Sequence, residues 1–147
     1  MRFYDQQHQF YCGVDLHTKR MYLCILDRDG NKQLHRNVRA KPHGFLRAVE
    51  PFREDLIVGA ECMFTWYWLA DLCLDESIKF ILGHALYMKA IHGGKKKNDK
   101  IDSEKTARLM RGGTFPLTRP AAATKSAPHR TLRRWEPYLE PNAIPNN

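Results

Sequence analysis

The chain has 147 residues, enough for one domain with a buried core, and carries 24 Lys and Arg against 16 Asp and Glu, a formal net charge of +8. That surplus favours a polyanionic partner over an acidic small molecule, with nucleic acid ahead of an anionic membrane surface. No stretch approaches the roughly 20 apolar residues that span a bilayer, and the N-terminal MRFYDQQHQF lacks the apolar region of a signal peptide, so no membrane association and a cytoplasmic location are expected.

After an N-terminal arm at residues 1–9, QFYCGVDLHT alternates, with Phe10, Cys12, Val14 and Leu16 on one face. RMYLCILDRDGNKQLHRNVRA follows with Asp29-Gly30 as a turn between two further apolar runs, which predicts a three-stranded antiparallel meander. Lys41-Pro42-His43-Gly44 breaks that pattern, and Phe45, Leu46, Val49 and Phe52 recur at helical spacing up to Pro51-Phe52. DLIVGAE predicts a buried strand ending in an acid, MFTWYWLADLCLDESI a buried helix, and KFILGHA a fifth strand.

A helical stretch near Leu86–Ile91 comes next, then GGKKKNDKIDSEKTARLMRGG, in which Asn98 can cap a helix ending at Gly112-Gly113. The order is β-β-β-α-β-α-β-α with a closing helix, an α/β domain expected over residues 10–118. Residues 119–147 hold five of the eight prolines and little apolar periodicity, so an irregular basic tail is expected. Cys12, Cys24, Cys62 and Cys73 sit in apolar segments without C-x-x-C pairing and are expected as reduced core residues.

Four acids stand out. Asp15 lies on the opposite face of the first strand from Cys12, Val14 and Leu16, and Glu61 ends a parallel strand, where ligands of open sheets collect. Asp99 and Asp102 are spaced i, i+3 at the start of a helix, on one face and near its positive end. Alone, the helix pair suits any acidic first turn, and Asp15 or Glu61 could pair with a lysine. Together, four carboxylates in register with one topology suit hard divalent cations such as Mg²⁺ (or Mn²⁺), which attack on a phosphodiester requires. Lys95, Lys96, Lys97, Lys100, Lys105, Arg108 and Arg111 surround the Asp99–Asp102 position and are expected to draw phosphates toward it, although a charge run also suits a solvated face. His17, His84 and His92 have no metal-ligand spacing, and Phe64, Trp66, Tyr67 and Trp68 fit a helix core better than a base-stacking platform.

YCGVDLHTKRMYLCILD, VGAECMFTWYWLADL and above all KKNDKIDSEKTARLMRGG resemble the N-terminal domain of DEDD transposases of bacterial insertion sequences, of the insertion-sequence-one-ten type. The resemblance covers about residues 10–118. It implies a ribonuclease-H-like mixed sheet flanked by helices, three antiparallel strands then parallel ones in the order 3-2-1-4-5. It also implies that Asp15, Glu61, Asp99 and Asp102 are the catalytic, metal-binding acids. Double-stranded DNA is the implied partner, with a structured guide RNA in some members and assembly as a homo-oligomer. Family members continue into a second domain with a catalytic serine, so a truncated or frameshifted copy, incompetent alone, is expected.

Two alternatives remain at this stage. One is a non-catalytic nucleic-acid-binding remnant that competes with a full-length transposase. The other is an actin-like or sugar-kinase ATPase fragment, suggested by GVDLHTK, which would leave Asp99 and Asp102 without a role.

Overall fold

The structure, a computed structural model, describes residues 2–61, 65–84, 88 and 99–118, and of Asp99 the backbone alone. Among the described residues, seven strands form in chain order: β1 (Phe3–Tyr4), β2 (Phe10–Leu16), β3 (Arg20–Asp27), β4 (Lys32–Arg39), β5 (Leu56–Glu61), β6 (Lys79–Gly83) and β7 (Phe115–Pro116). Between them lie helices α1 (Pro42–Val49), α2 (Trp66–Asp75) and α3 (Asp99–Arg111), with a 3-10 segment at Glu50–Asp55. The stretch expected as a helix near Leu86–Ile91, the tail at 119–147, Cys62 and Phe64 lie outside the described residues, Met88 excepted.

The central sheet has the order β4-β3-β2-β5-β6. Its first three strands are antiparallel and β2, β5 and β6 are parallel, the order and directions that the family resemblance implies. Alternation decides which side chains go where. Cys12, Val14, Met21, Leu23, Ile25, Val58, Ala60, Phe80 and Leu82 pack on one face against Phe45 and Val49 of α1 and Trp66, Leu69, Ala70 and Cys73 of α2. The other face carries Tyr11, Ile57 and Ile81 against Met110 and Phe115, and Cys24 and Leu26 against Ala107. β5 and β6 are thus covered on both sides, which is why their sequences run apolar without alternation. Cys12, Cys24 and Cys73 are buried free thiols, and burial raises all three, Cys24 to about 11, so they stay protonated.

The β3–β4 turn is built on Asp27. Its Oδ1 accepts hydrogen bonds from the amides of Asp29 and Asn31, both at 2.9 Å, and Gly30 takes a φ of 88°. At the end of α3, Gly113 (φ 75°) closes the helix, with Thr114 N donating to Leu109 O at 3.0 Å.

The N-terminal arm is anchored. β1 pairs antiparallel with β7, Phe3 opposite Pro116 and Tyr4 opposite Phe115. β7 leads into a bridge between Leu117 and Gly83 of β6. Behind β1, His8 is fully buried, with Nδ1 2.8 Å from Asp55 Oδ1 and Nε2 hydrogen-bonded to the Tyr4 hydroxyl, while its amide donates to Tyr11 Oη at 2.9 Å. No helix among the described residues is long and apolar enough to cross a membrane.

Candidate carboxylate site and nucleic-acid interface

β2 and β5 run parallel with Gly13 opposite Gly59 and Val14 opposite Ala60. Val14 and Ala60 face α1 and α2, so the next residues, Asp15 and Glu61, return to the side of Gly13 and Gly59, which α3 covers. Both carboxylates therefore sit at the carboxyl ends of adjacent parallel strands and on the same face. Both are half-buried.

α3 reaches this face because the sheet has no side chains under it at Gly13 and Gly59. A Cβ on Gly13 would lie 2.6 Å from Ala107 N and closer still to the Ser103 carbonyl, and one on Gly59 would collide with the Met110 side chain. The C-terminal end of α3 is tied to the β3–β4 turn, where Arg111 Nε donates to Arg28 O at 2.9 Å. That turn lies beside the start of β2, since Phe10 pairs with Asp27. The N-terminal turn of α3, with Asp99 and Asp102, accordingly points toward the other end, where β2 and β5 finish. Nearer the start of α3, His35 Nε2, on β4 in the row of Cys24 and Gly13, donates to Lys100 O at 2.9 Å, and the Ser103 hydroxyl donates to the same carbonyl at 2.9 Å.

Asp15, Glu61 and Asp102 are each half-buried. Their oxygen donors suit a hard divalent cation. Among the described residues, however, no three of His, Cys, Asp and Glu stand close enough to hold a metal ion, and the side chain of Asp99 is outside that set. His17, to which ligand spacing assigns no role, is a neighbour of the site, with Nε2 3.2 Å from Asp15 Oδ2. The D-x-H spacing at a strand end carries that signal, because residues i and i+2 share a face.

Of the basic residues expected to meet phosphates, Lys95, Lys96 and Lys97 lie outside the described residues. Lys100, Lys105, Arg108 and Arg111 lie on α3. Arg108 Nε is 2.8 Å from Glu104 Oε2, and Lys32 Nζ is 2.7 Å from Glu104 Oε1, so one acid on α3 serves two cations and is held below the usual carboxylate range, chiefly by the Lys32 hydrogen bond.

A family profile described as a transposase matches residues 12–133. The chain belongs to the DEDD transposase family of the insertion-sequence-one-ten type. No curated protein matches it. Among solved structures, the chain is similar to Thermus thermophilus RuvC, at 13% identity and a TM-score of 0.47 over 74% of this chain and 99% of that one. It is also similar to T. thermophilus RuvC in complex with a Holliday junction substrate, at 15% identity and a TM-score of 0.40 over 81% of this chain and 88% of that one.

Proposed function

We propose that this chain is the DNA-cleaving domain of an insertion-sequence transposase, in which Asp15, Glu61, Asp99 and Asp102 hold Mg²⁺ (or Mn²⁺) beside a phosphodiester of double-stranded DNA. The observation that carries the reading is the placement of Asp15 and Glu61 on one face at neighbouring strand ends, with the acid-bearing end of α3 directed to the same edge. When bound, the metal supplies an activated water and neutralises charge on the leaving oxygen.

The residues of the chain do the rest. His17, 3.2 Å from Asp15, orients the Asp15 carboxylate. Gly13 and Gly59 let α3 lie against the sheet, so its acids come near those of β2 and β5. Lys100 and Lys105 place positive charge on the same helix, and with Lys95, Lys96 and Lys97 they concentrate phosphate at the acids, while Arg108 is held by Glu104 and Arg111 lies at the far end of the helix. A structured RNA and assembly of several copies belong to this proposal through the family likeness alone.

The test is thermal unfolding with and without Mg²⁺ or Mn²⁺, run beside a nicking assay on supercoiled duplex DNA. The native chain is expected to gain about 1–3 kcal/mol at saturating metal, and an Asp15→Asn, Asp102→Asn double variant none. Equal responses in both proteins would leave a nucleic-acid-binding role without metal chemistry.

A further inference from the structure

On the face of the sheet that carries Asp15, directly opposed residues run in rows across three strands: Asp15, Tyr22 and Asn37 form one, and Arg20 and Arg39 form the next toward the β2–β3 turn. Two arginines are therefore cross-strand neighbours at the same end of the molecule as the carboxylates. Like charges directly opposed on antiparallel strands repel, and both side chains are exposed. Among the described residues neither has an acidic partner. Arg20 Nε instead donates to Asn37 Oδ1 at 3.0 Å, which fixes the plane of its guanidinium.

The surrounding chain reinforces the charge. From Lys32 to Val49 there is no Asp or Glu to offset it, and Lys41 adds a further cation beside Arg39. The two ends of this surface are tied together, with Ala40 N donating to Lys19 O at 2.9 Å, so Lys19, Arg20, Arg39 and Lys41 form one rigid corner. Charged edge strands also guard a sheet against unwanted pairing, which accounts for Lys32 and Arg36 on β4. It does not account for Arg20, which lies on the interior strand β3.

We propose that Arg20 and Arg39, flanked by Lys19 and Lys41, form a second contact with the phosphate backbone of duplex DNA, gripping the strand that leads away from the carboxylates. β4 is two strand spacings from β2, about 10 Å, or roughly three nucleotides along one strand of a duplex. Guanidinium groups suit this role because they bind phosphate through paired, directional hydrogen bonds. The contact fixes orientation and carries no base readout. It rests on the DNA-cleaving reading given above.

The test is binding of a labelled short duplex DNA by the full chain, followed by fluorescence anisotropy between about 50 and 200 mM salt. An Arg20→Gln, Arg39→Gln variant is expected to bind about tenfold or more weakly, with a plot of log affinity against log salt shallower by about two. An Arg20→Lys, Arg39→Lys variant retains the slope. The matched control is Arg36→Gln, Arg47→Gln, which removes the same charge from the opposite side of the sheet, where Arg36 opposes Leu23; its slope is expected to stay near that of the native chain. Equal losses in the two Gln variants, or an unchanged slope in the first, overturn the contact while leaving the DNA reading intact. Loss confined to a structured RNA, with duplex binding unchanged, also overturns it. If the native chain binds no duplex DNA, the functional reading falls and the contact falls with it.

Discussion

His8 shows how a single buried polar residue holds a chain terminus in place. Desolvation pushes its pKa below the ordinary value of 6.5, and this outweighs the hydrogen bond and charge of Asp55, which raise it. The ring is therefore neutral, donating from Nδ1 to Asp55 and accepting from the Tyr4 hydroxyl at Nε2. Burial opposes ionisation of Asp55, yet the hydrogen bonds from His8 and the Gln9 amide prevail and hold its carboxyl below the ordinary 3.8. Both groups bind fewer protons folded than unfolded, so their contributions are complete above about pH 6.5 and decline as pH falls, first through His8 and then through Asp55. Urea unfolding between pH 7.5 and pH 5, buffer values on the order of one unit either side of the His range, is expected to show falling stability in the native chain and a flatter profile in a His8→Ala variant. That variant is expected to lose about 2–3 kcal/mol near neutral pH, because the Tyr4 hydroxyl and Asp55 are left without their partner. Nothing in DQQHQ marks His8 from the sequence, since its partners are Tyr4 and Asp55, the latter 47 positions away. The face on which Asp15 sits was legible, because strand alternation sets it opposite Val14 and Leu16.

At the scale of elements, the fit of α3 against β2 is set by one missing side chain. Gly13→Ala places a methyl group against the Ser103 carbonyl and the Ala107 amide, backbone atoms that cannot rotate away. The helix has to lift, at a cost of about 1–3 kcal/mol or more. The acids of its first turn move with it, so the rise in melting temperature proposed for bound metal is expected to shrink even where the variant remains folded, a combination that calorimetry with and without Mn²⁺ detects. The strands of the central sheet were legible because their periodicity and the Asp29-Gly30 turn agree. The end of α2 was not: the apolar pattern runs on to Ile78, whereas the helix stops at Asp75 and is closed by Ser77 at a φ of 56°, a position glycine usually marks. β1 and β7 have two residues each, too few for any period to show.

At the scale of the whole molecule, the surplus of positive charge is not spread evenly. One portion lies on α3, where Glu104 offsets part of it, and another lies on the β4 side, where the sequence from Lys32 to Val49 has no acid. Composition shows only the total; the division between two surfaces depends on strand order and register, which bring Arg20 of β3 beside Arg39 of β4. The path of α3 was not legible, since periodicity gives the face of each strand but not the direction in which the helix crosses the sheet. That direction follows from the Arg111 contact at the β3–β4 turn, 83 positions from its partner.

The pairing of Phe3 with Pro116 also has a mechanical consequence. Arg2 and Leu117 meet at the outer end of this ribbon, so tension applied across them peels its hydrogen bonds one after another instead of shearing them together. The two short strands should thus yield at low force, acting as a weak seam that separates while the five-stranded sheet behind it keeps its register.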